Sequence, residues 1–219
     1  MKLLGSEIKV VIFDMDGTLI DSVGIWAEID KAFFAKRNMS VPEDYAKEIV
    51  HLGLKDGARM TVERYGFKET PEEIIQEWRD ASIKEYSTNI QLKEGAKEFL
   101  EYLKDNNVIC TIATANDEEL YNPCLKRLGI EKYFSFIIDV NKVDEGKSSP
   151  KIFDVIVNKY GVRRDQVLVI EDSLTPLKTT FTNGFKVVAV YDDYSSNYDE
   201  EKKKYSHKFV YSMSELIEK

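Results

Sequence analysis

Cysteine, histidine and long apolar runs are all scarce in this chain of 219 residues. There are two cysteines and two histidines. Cys110 falls inside an apolar run and Cys124 in a helical stretch after Pro123. With no Cys-x-x-Cys pair, both read as small buried hydrophobes, and no disulfide framework is expected. His51 and His207 lie far apart and form no zinc motif. No stretch approaches the length of a membrane span. The opening Met1-Lys2-Leu3-Leu4-Gly5 carries no apolar run of signal-peptide length, so a cytoplasmic location is expected. Internal repeats, low-complexity segments and a Gly-x-Gly-x-x-Gly fingerprint are also missing. Cations are outnumbered, 31 Lys and Arg against 39 Asp and Glu, for a net charge of −8. That balance argues against nucleic acid or an anionic membrane as the main partner. A phosphorylated ligand would need its own local cations.

What is present suits a folded protein: 43% hydrophobic and 32% charged residues. At this length roughly 70% of the unfolded surface can be buried without staples. Val10-Val11-Ile12-Phe13 reads as a buried strand. After it, residues 20–89 are helical throughout. Ile25, Ile29, Ala32 and Phe33 mark one amphipathic helix, and Tyr45 and Ile49 continue a helical period after Pro42. Asp56 is placed to cap a helix over 57–65. Thr70-Pro71-Glu72-Glu73 carries three agreeing helix-start signals, with Ile74, Trp78 and Ala81 on the inner face. From Gly95 short apolar runs alternate with helices. Strands are expected at 108–113, 136–138, 167–170 and 186–190, with an edge strand at 209–211. Helices are expected at 95–105, 118–128, 149–160, 174–183 and 214–218. This alternation predicts an α/β, Rossmann-like parallel sheet with helices on both faces. The predicted core is 1–19 with 90–219, and 20–89 is an inserted all-helical domain.

Asp14-Met15-Asp16-Gly17-Thr18 follows the first strand directly. Two unit charges about 4 Å apart at an effective dielectric of about 20 repel by roughly 4 kcal/mol, so a cation, a proton or a reaction must compensate. Gly17 can take positive φ and turn the chain so that both carboxylates face one opening. Other strands also end in polar residues: Thr114, Ala115 and Asn116 after the second, Glu171, Asp172 and Ser173 after the fourth. Lys147 precedes the helix at Pro150. In a parallel sheet these ends share the edge where ligands bind. Taken singly, each has a plain explanation as a turn former, a loop lysine or a helix cap. Their joint occurrence does not.

This order resembles the haloacid dehalogenase-like hydrolase superfamily, on Asp14-Met15-Asp16-Gly17-Thr18, Thr114, Gly146-Lys147 and Glu171-Asp172-Ser173. The likeness spans nearly the whole chain, and the insertion resembles the family's α-helical cap, as in its phosphatases and β-phosphoglucomutases. The resemblance implies a phosphatase acting on a small phosphorylated metabolite. Asp14 would be the nucleophile that forms an aspartyl phosphate, and Asp16 the acid and then the base. Mg²⁺ would be held by the Asp14 carboxylate, the Asp16 backbone carbonyl and Asp172, with Glu171 at or just behind the ion. Thr114, Ala115 and Asn116 would hold phosphate oxygens, and Lys147 would neutralise the transferring group. Two positions depart from the pattern: Ser148 stands where proline often follows the lysine, and Pro176 where glycine often follows Ser173 by three. An altered loop shape is expected from them, not lost metal binding.

Three other readings carry less. Gly146-Lys147-Ser148 would end a nucleotide-binding P-loop only with glycine at 141, which is asparagine. A sugar-phosphate mutase of the β-phosphoglucomutase type usually carries a histidine shortly after the second aspartate, and residues 17–30 contain none. A non-catalytic scaffold would need a broken nucleophile or acid, and both aspartates are intact. For substrate selection the candidates are Lys55, Arg59 and His51 in the insertion, against a reading as surface polar groups. A monomer is expected.

Overall fold

Four consecutive apolar residues can be buried on both faces only inside a sheet that is covered on both sides. The computed structural model, which describes residues 1–49, 52 and 54–217, places Val10–Phe13 in that position, all four fully buried. In chain order, β1 (Lys2–Leu3) and β2 (Ser6–Glu7) form a small antiparallel hairpin. β3 (Val10–Phe13) opens the main sheet. Four helices follow: α1 (Ile25–Ala35), α2 (Tyr45–Ile49), α3 (Leu54–Tyr65) and α4 (Pro71–Thr88). Then come α5 (Ala96–Asp105), β4 (Ile109–Thr114), α6 (Glu118–Arg127), β5 (Phe134–Asp139) and α7 (Lys151–Tyr160). The chain continues through β6 (Val167–Glu171), α8 (Leu174–Thr182), β7 (Lys186–Val190), α9 (Asp199–Lys204) and β8 (Lys208–Val210). A 3₁₀ turn, Met213–Leu216, replaces the last helix expected from the sequence, and Glu218 lies outside the described residues.

The main sheet is parallel, in the order β5-β4-β3-β6-β7-β8. The α/β, Rossmann-like fold expected from the alternating pattern is therefore the one observed. Successive side chains of a strand point to opposite faces. Val10 and Ile12 join one apolar cluster with Ile152, Phe153 and Ile156 of α7 and Leu177 of α8. Phe13 meets Phe99 of α5 edge-on at 6.2 Å between ring centroids. The chain winds outward from β3 to β4 and β5, then crosses to β6 on the other side of β3. The carboxyl end of β3 is thus at the switch in winding direction, where open α/β sheets leave a crevice. Register fixes what lines it: Phe13 pairs with Ile112 and with Ile170. The residues one step beyond, Asp14, Ala113 and Glu171, are therefore level, with Thr114 next.

By contacts the chain divides into two units, Met1–Val23 with Ile90–Lys219, and Gly24–Asn89. The second is a helical unit with an aromatic core. Phe34 packs edge-on against Tyr45 at 4.8 Å and Tyr65 at 5.2 Å, and Phe33 lies 5.7 Å from Trp78. Arg37 stacks over the Phe33 ring at 3.8 Å and pairs with Glu69 and Glu77, both at 2.7 Å. The capping box is present as the sequence predicts: Thr70 Oγ1 accepts from the Glu73 amide at 3.2 Å, and Glu73 accepts from the Thr70 amide at 2.8 Å.

Some details differ from the sequence reading. α3 begins at Leu54, so Asp56 sits in its first turn and does not cap it. Ala32 is exposed and Phe34 takes the inner position on α1; on α4 the inner face is Ile74, Trp78, Ser82 and Tyr86, with Ala81 beside it. β5 starts two residues earlier than expected, and α9 and the β1–β2 hairpin carry no apolar pattern that announces them. Cys110 and Cys124 are buried and unpaired, as the sequence implies. Among the described residues no helix is long and apolar enough to cross a membrane.

Candidate active site

Beyond β3 the chain turns at Gly17, whose φ is +77°. A Cβ there would stand 2.7 Å from Asp172 Oδ2 and 2.9 Å from a Val23 methyl. Only glycine lets the turn close this tightly against the Asp172 carboxylate. Asp14, Glu171 and Asp172 converge so that one carboxylate oxygen from each lies within 4.8 Å of the others, all three buried. The Lys147 ammonium sits between two of them, bonded to Asp14 Oδ1 and, at 3.0 Å, to Glu171 Oε2. Thr18 Oγ1 donates to Asp172 Oδ1 at 3.0 Å, and the Ser173 amide donates to Glu171 Oε1 at 3.3 Å.

Asp16 is partly exposed and is held from two sides. Ser22 Oγ donates to its Oδ1 at 2.6 Å and Asn116 Nδ2 to its Oδ2 at 2.5 Å. The Asn116 backbone amide donates to Thr114 Oγ1 at 3.0 Å, which closes the turn after β4. Thr114 is buried and Ala115 exposed. Pro176 falls in the first turn of α8, where a missing N–H leaves no helical bond unmade, so this departure from the family pattern is accommodated locally. Ser148 lies in the turn in which the Ser149 amide bonds the Gly146 carbonyl at 3.2 Å.

The structure thus brings Asp14, Asp16, Lys147, Glu171 and Asp172 to one sheet edge, with Asn116 tied to Asp16 and Thr114 tied to the Asn116 amide. Lys55 and Arg59 lie in the helical unit, on the first turns of α3, both exposed. Arg59 pairs with Asp56 at 2.6 Å and lines an open groove of about 650 Å³ with Leu52, Met60 and Arg64. His51 lies outside the described residues. The sequence reading missed Ser22, whose contact with Asp16 could be suspected only from its place six residues after it. It also missed the Lys93–Asp192 ion pair, 2.9 Å, which buries another carboxylate, the one at Asp192.

Electrostatically the edge is under-compensated. Within the buried cluster, apart from the partly exposed Asp16, three carboxylates share one ammonium, which leaves two negative charges when all are ionised, a surplus that a divalent cation would offset. Burial, and then Asp14, push the Asp172 carboxyl up to about 7 from 3.8, against the Thr18 hydrogen bond. Burial and Asp14 also raise Glu171 well above the carboxylate range, with Lys147 opposing. Burial works against the charge on Lys147, yet Asp14 and Glu171 together raise its pKa. Buried hard oxygen donors with surplus negative charge fit a hard divalent cation.

A pH dependence follows. An acid whose folded pKa is raised contributes stability at low pH that is lost as pH rises through the folded value. Metal-free protein should therefore lose stability between about pH 4 and about pH 7 as Asp172 ionises. Mg²⁺ should restore it, raising Tm more at about pH 8 than at about pH 5, because protons compete for the same oxygens. Thermal melts at both pH values check this, and an Mg²⁺ increment that is the same at both would contradict it.

Comparison with known proteins points to one family. The profile of the haloacid dehalogenase-like hydrolases matches residues 11–190. A phosphorylated carbohydrates phosphatase from Thermotoga maritima is 25% identical over 178 residues, covering 81% of this chain and 82% of that protein. A phosphoglycolate phosphatase from Photorhabdus laumondii is 29% identical over 201 residues, covering 88% and 83%. A crystal structure from Thermotoga maritima with a provisional β-phosphoglucomutase designation superposes with a TM-score of 0.82 at 22% identity, covering 95% and 96%, a likeness of fold.

Proposed function

This chain belongs to the haloacid dehalogenase-like hydrolases, and from that premise we propose that it is a Mg²⁺-dependent phosphatase of small phosphorylated metabolites. The observation that carries the reading is the Lys147 ammonium lodged between Asp14 and Glu171 beside Asp172. One buried cation and a surplus of carboxylate oxygens suit a site that must admit a metal ion and an anionic phosphoryl group together.

In this reading the Asp14 carboxylate attacks phosphorus, and the bond to the leaving oxygen breaks as Asp16 gives that oxygen its proton. Water then attacks the aspartyl phosphate, Asp16 takes back a proton, and inorganic phosphate leaves with Asp14 restored. The sum is one ester and one water converted to an alcohol and phosphate. Lys147 holds Asp14 in place and faces the charge on the transferring group. The Thr114 hydroxyl, which accepts from the Asn116 amide and keeps its own proton to donate, is assigned to a phosphate oxygen together with the backbone amide of Ala115. Asp14, Asp172 and the Asp16 carbonyl would hold Mg²⁺, with Glu171 behind them; when bound, the ion would offset carboxylate repulsion at the nucleophile. The insertion read at 20–89, which contains the compact unit Gly24–Asn89, is assigned as the family's helical cap, and selection of the leaving group is assigned to it, with Lys55 and Arg59 as candidates. The relatives named for phosphorylated carbohydrates and phosphoglycolate support small phosphomonoesters as the substrate class.

The test is a panel of sugar phosphates, nucleotides and phosphorylated acids assayed for inorganic phosphate with and without Mg²⁺. Release from small monoesters only when Mg²⁺ is present is the expected result. Isomerisation of glucose 1-phosphate without release would select a mutase instead, and inactivity on the whole panel would overturn the proposal.

A further inference from the structure

Asn116 sits two residues after Thr114, where the motif suggests a phosphate contact. Its side chain is committed elsewhere. Nδ2 reaches Asp16 Oδ2 at 2.5 Å, across 100 positions of sequence. Its backbone amide is fixed on Thr114 Oγ1, so the residue cannot drift without opening the turn after β4. On the other carboxylate oxygen Ser22 donates at 2.6 Å, and the Asp16 carboxylate is held by donors from two separate segments of the chain.

We propose that the Asn116 side chain is a positioning residue for Asp16 and not a phosphate ligand. The inference rests on Asp16 acting as acid and base in the proposed reaction. An amide is matched to such a partner. Its NH₂ donates to Oδ2 of the ionised carboxylate and equally to Oδ2 as the C=O of the protonated acid, whose proton then sits on Oδ1, free of the amide. The same contact therefore survives both halves of the cycle and keeps Asp16 within reach of the departing oxygen. A phosphate ligand would act differently, because it binds the group common to every substrate.

Leaving-group dependence separates the two roles. Alkyl phosphates expel an alkoxide that needs the proton, whereas p-nitrophenyl phosphate expels a stable phenolate that does not. For Asn116→Ala, kcat/KM on an alkyl phosphate should fall on the order of 100-fold, the lower end of general-acid contributions. On p-nitrophenyl phosphate the fall should be no more than a few-fold. Asn116→Ser, which keeps a shorter donor and acceptor, should recover part of the alkyl-ester loss. Inorganic phosphate binding in the presence of Mg²⁺, measured by calorimetry, should be the same in wild type and Asn116→Ala. Equal loss on both esters with weakened phosphate binding would make Asn116 a phosphate ligand, and equal rates on both would make it passive; either overturns the proposal. Wild-type protein inactive on both esters would remove its premise, a failure visible before any variant is made.

Discussion

Asp14→Asn should reduce phosphate release by on the order of 10⁴-fold or more, the scale on which removing a covalent nucleophile acts, while the fold persists. The change replaces one oxygen by an amide nitrogen of similar size at a site that is nearly closed to solvent. It removes a charge from a cluster in which charges crowd, so no packing is lost. What disappears, in the proposed reaction, is the electron pair that would attack phosphorus. Two measurements check the claim together. Turnover of p-nitrophenyl phosphate with Mg²⁺ should drop to background, and phosphate-labelled substrate should mark the quenched wild-type protein but not the variant. Circular dichroism should show the same helix and strand content in both. Near wild-type turnover by the variant would end the covalent reading, whatever the family.

Lys147→Met should act on stability as well as on turnover. Lys147 is only 11% exposed, and its partners Asp14 and Glu171 are 8% and 2% exposed. Removing one member of a buried ion pair strands the other and costs about 3–5 kcal/mol. Here two carboxylates are stranded, beside Asp172. The chain has an escape: Glu171 and Asp172, both already raised by burial and Asp14, can take up a proton. The loss should therefore be about 3 kcal/mol or more in metal-free protein at about pH 8 and shrink toward about pH 5. Urea denaturation at the two pH values reads it. A loss within about 0.5 kcal/mol at both, the range of ordinary surface changes, would mean that Lys147 carries no such burden. The same variant should also lose phosphatase activity, since nothing else among the described contacts brings a cation onto Asp14.

The elements that position the site were readable because their signals are local. A run of β-branched and aromatic residues ending in Asp-x-Asp-Gly-Thr reads as a strand and a turn at once. Thr70-Pro71-Glu72-Glu73 forms its capping box within four residues. Apolar faces were less secure. At α1 the choice between Ala32 and Phe34, and at α4 between Ala81 and Ser82, falls inside the width of one helical stripe. It is settled by neighbours: the rings of Tyr45, Tyr65 and Phe67 gather around Phe34. α9 was not foreseen because Asp199–Lys204 is charged at every position. No periodicity announces that Lys202 is buried there, bonded to Ser195 at 2.7 Å.

By itself the sequence determined which chemistry this protein can hold: where carboxylates follow strands, which loop carries a lysine, and where a glycine lets the chain turn back. Strand order and register were decided only in three dimensions, since pairing β3 between β4 and β6 is what makes Asp14, Thr114 and Glu171 neighbours. The partner of each polar group was decided there too. Asn116 and Asp16 are 100 residues apart, Lys147 and Asp14 133. Spacing along a chain fixes only contacts within a few turns, and contacts across a sheet depend on which strands pack side by side.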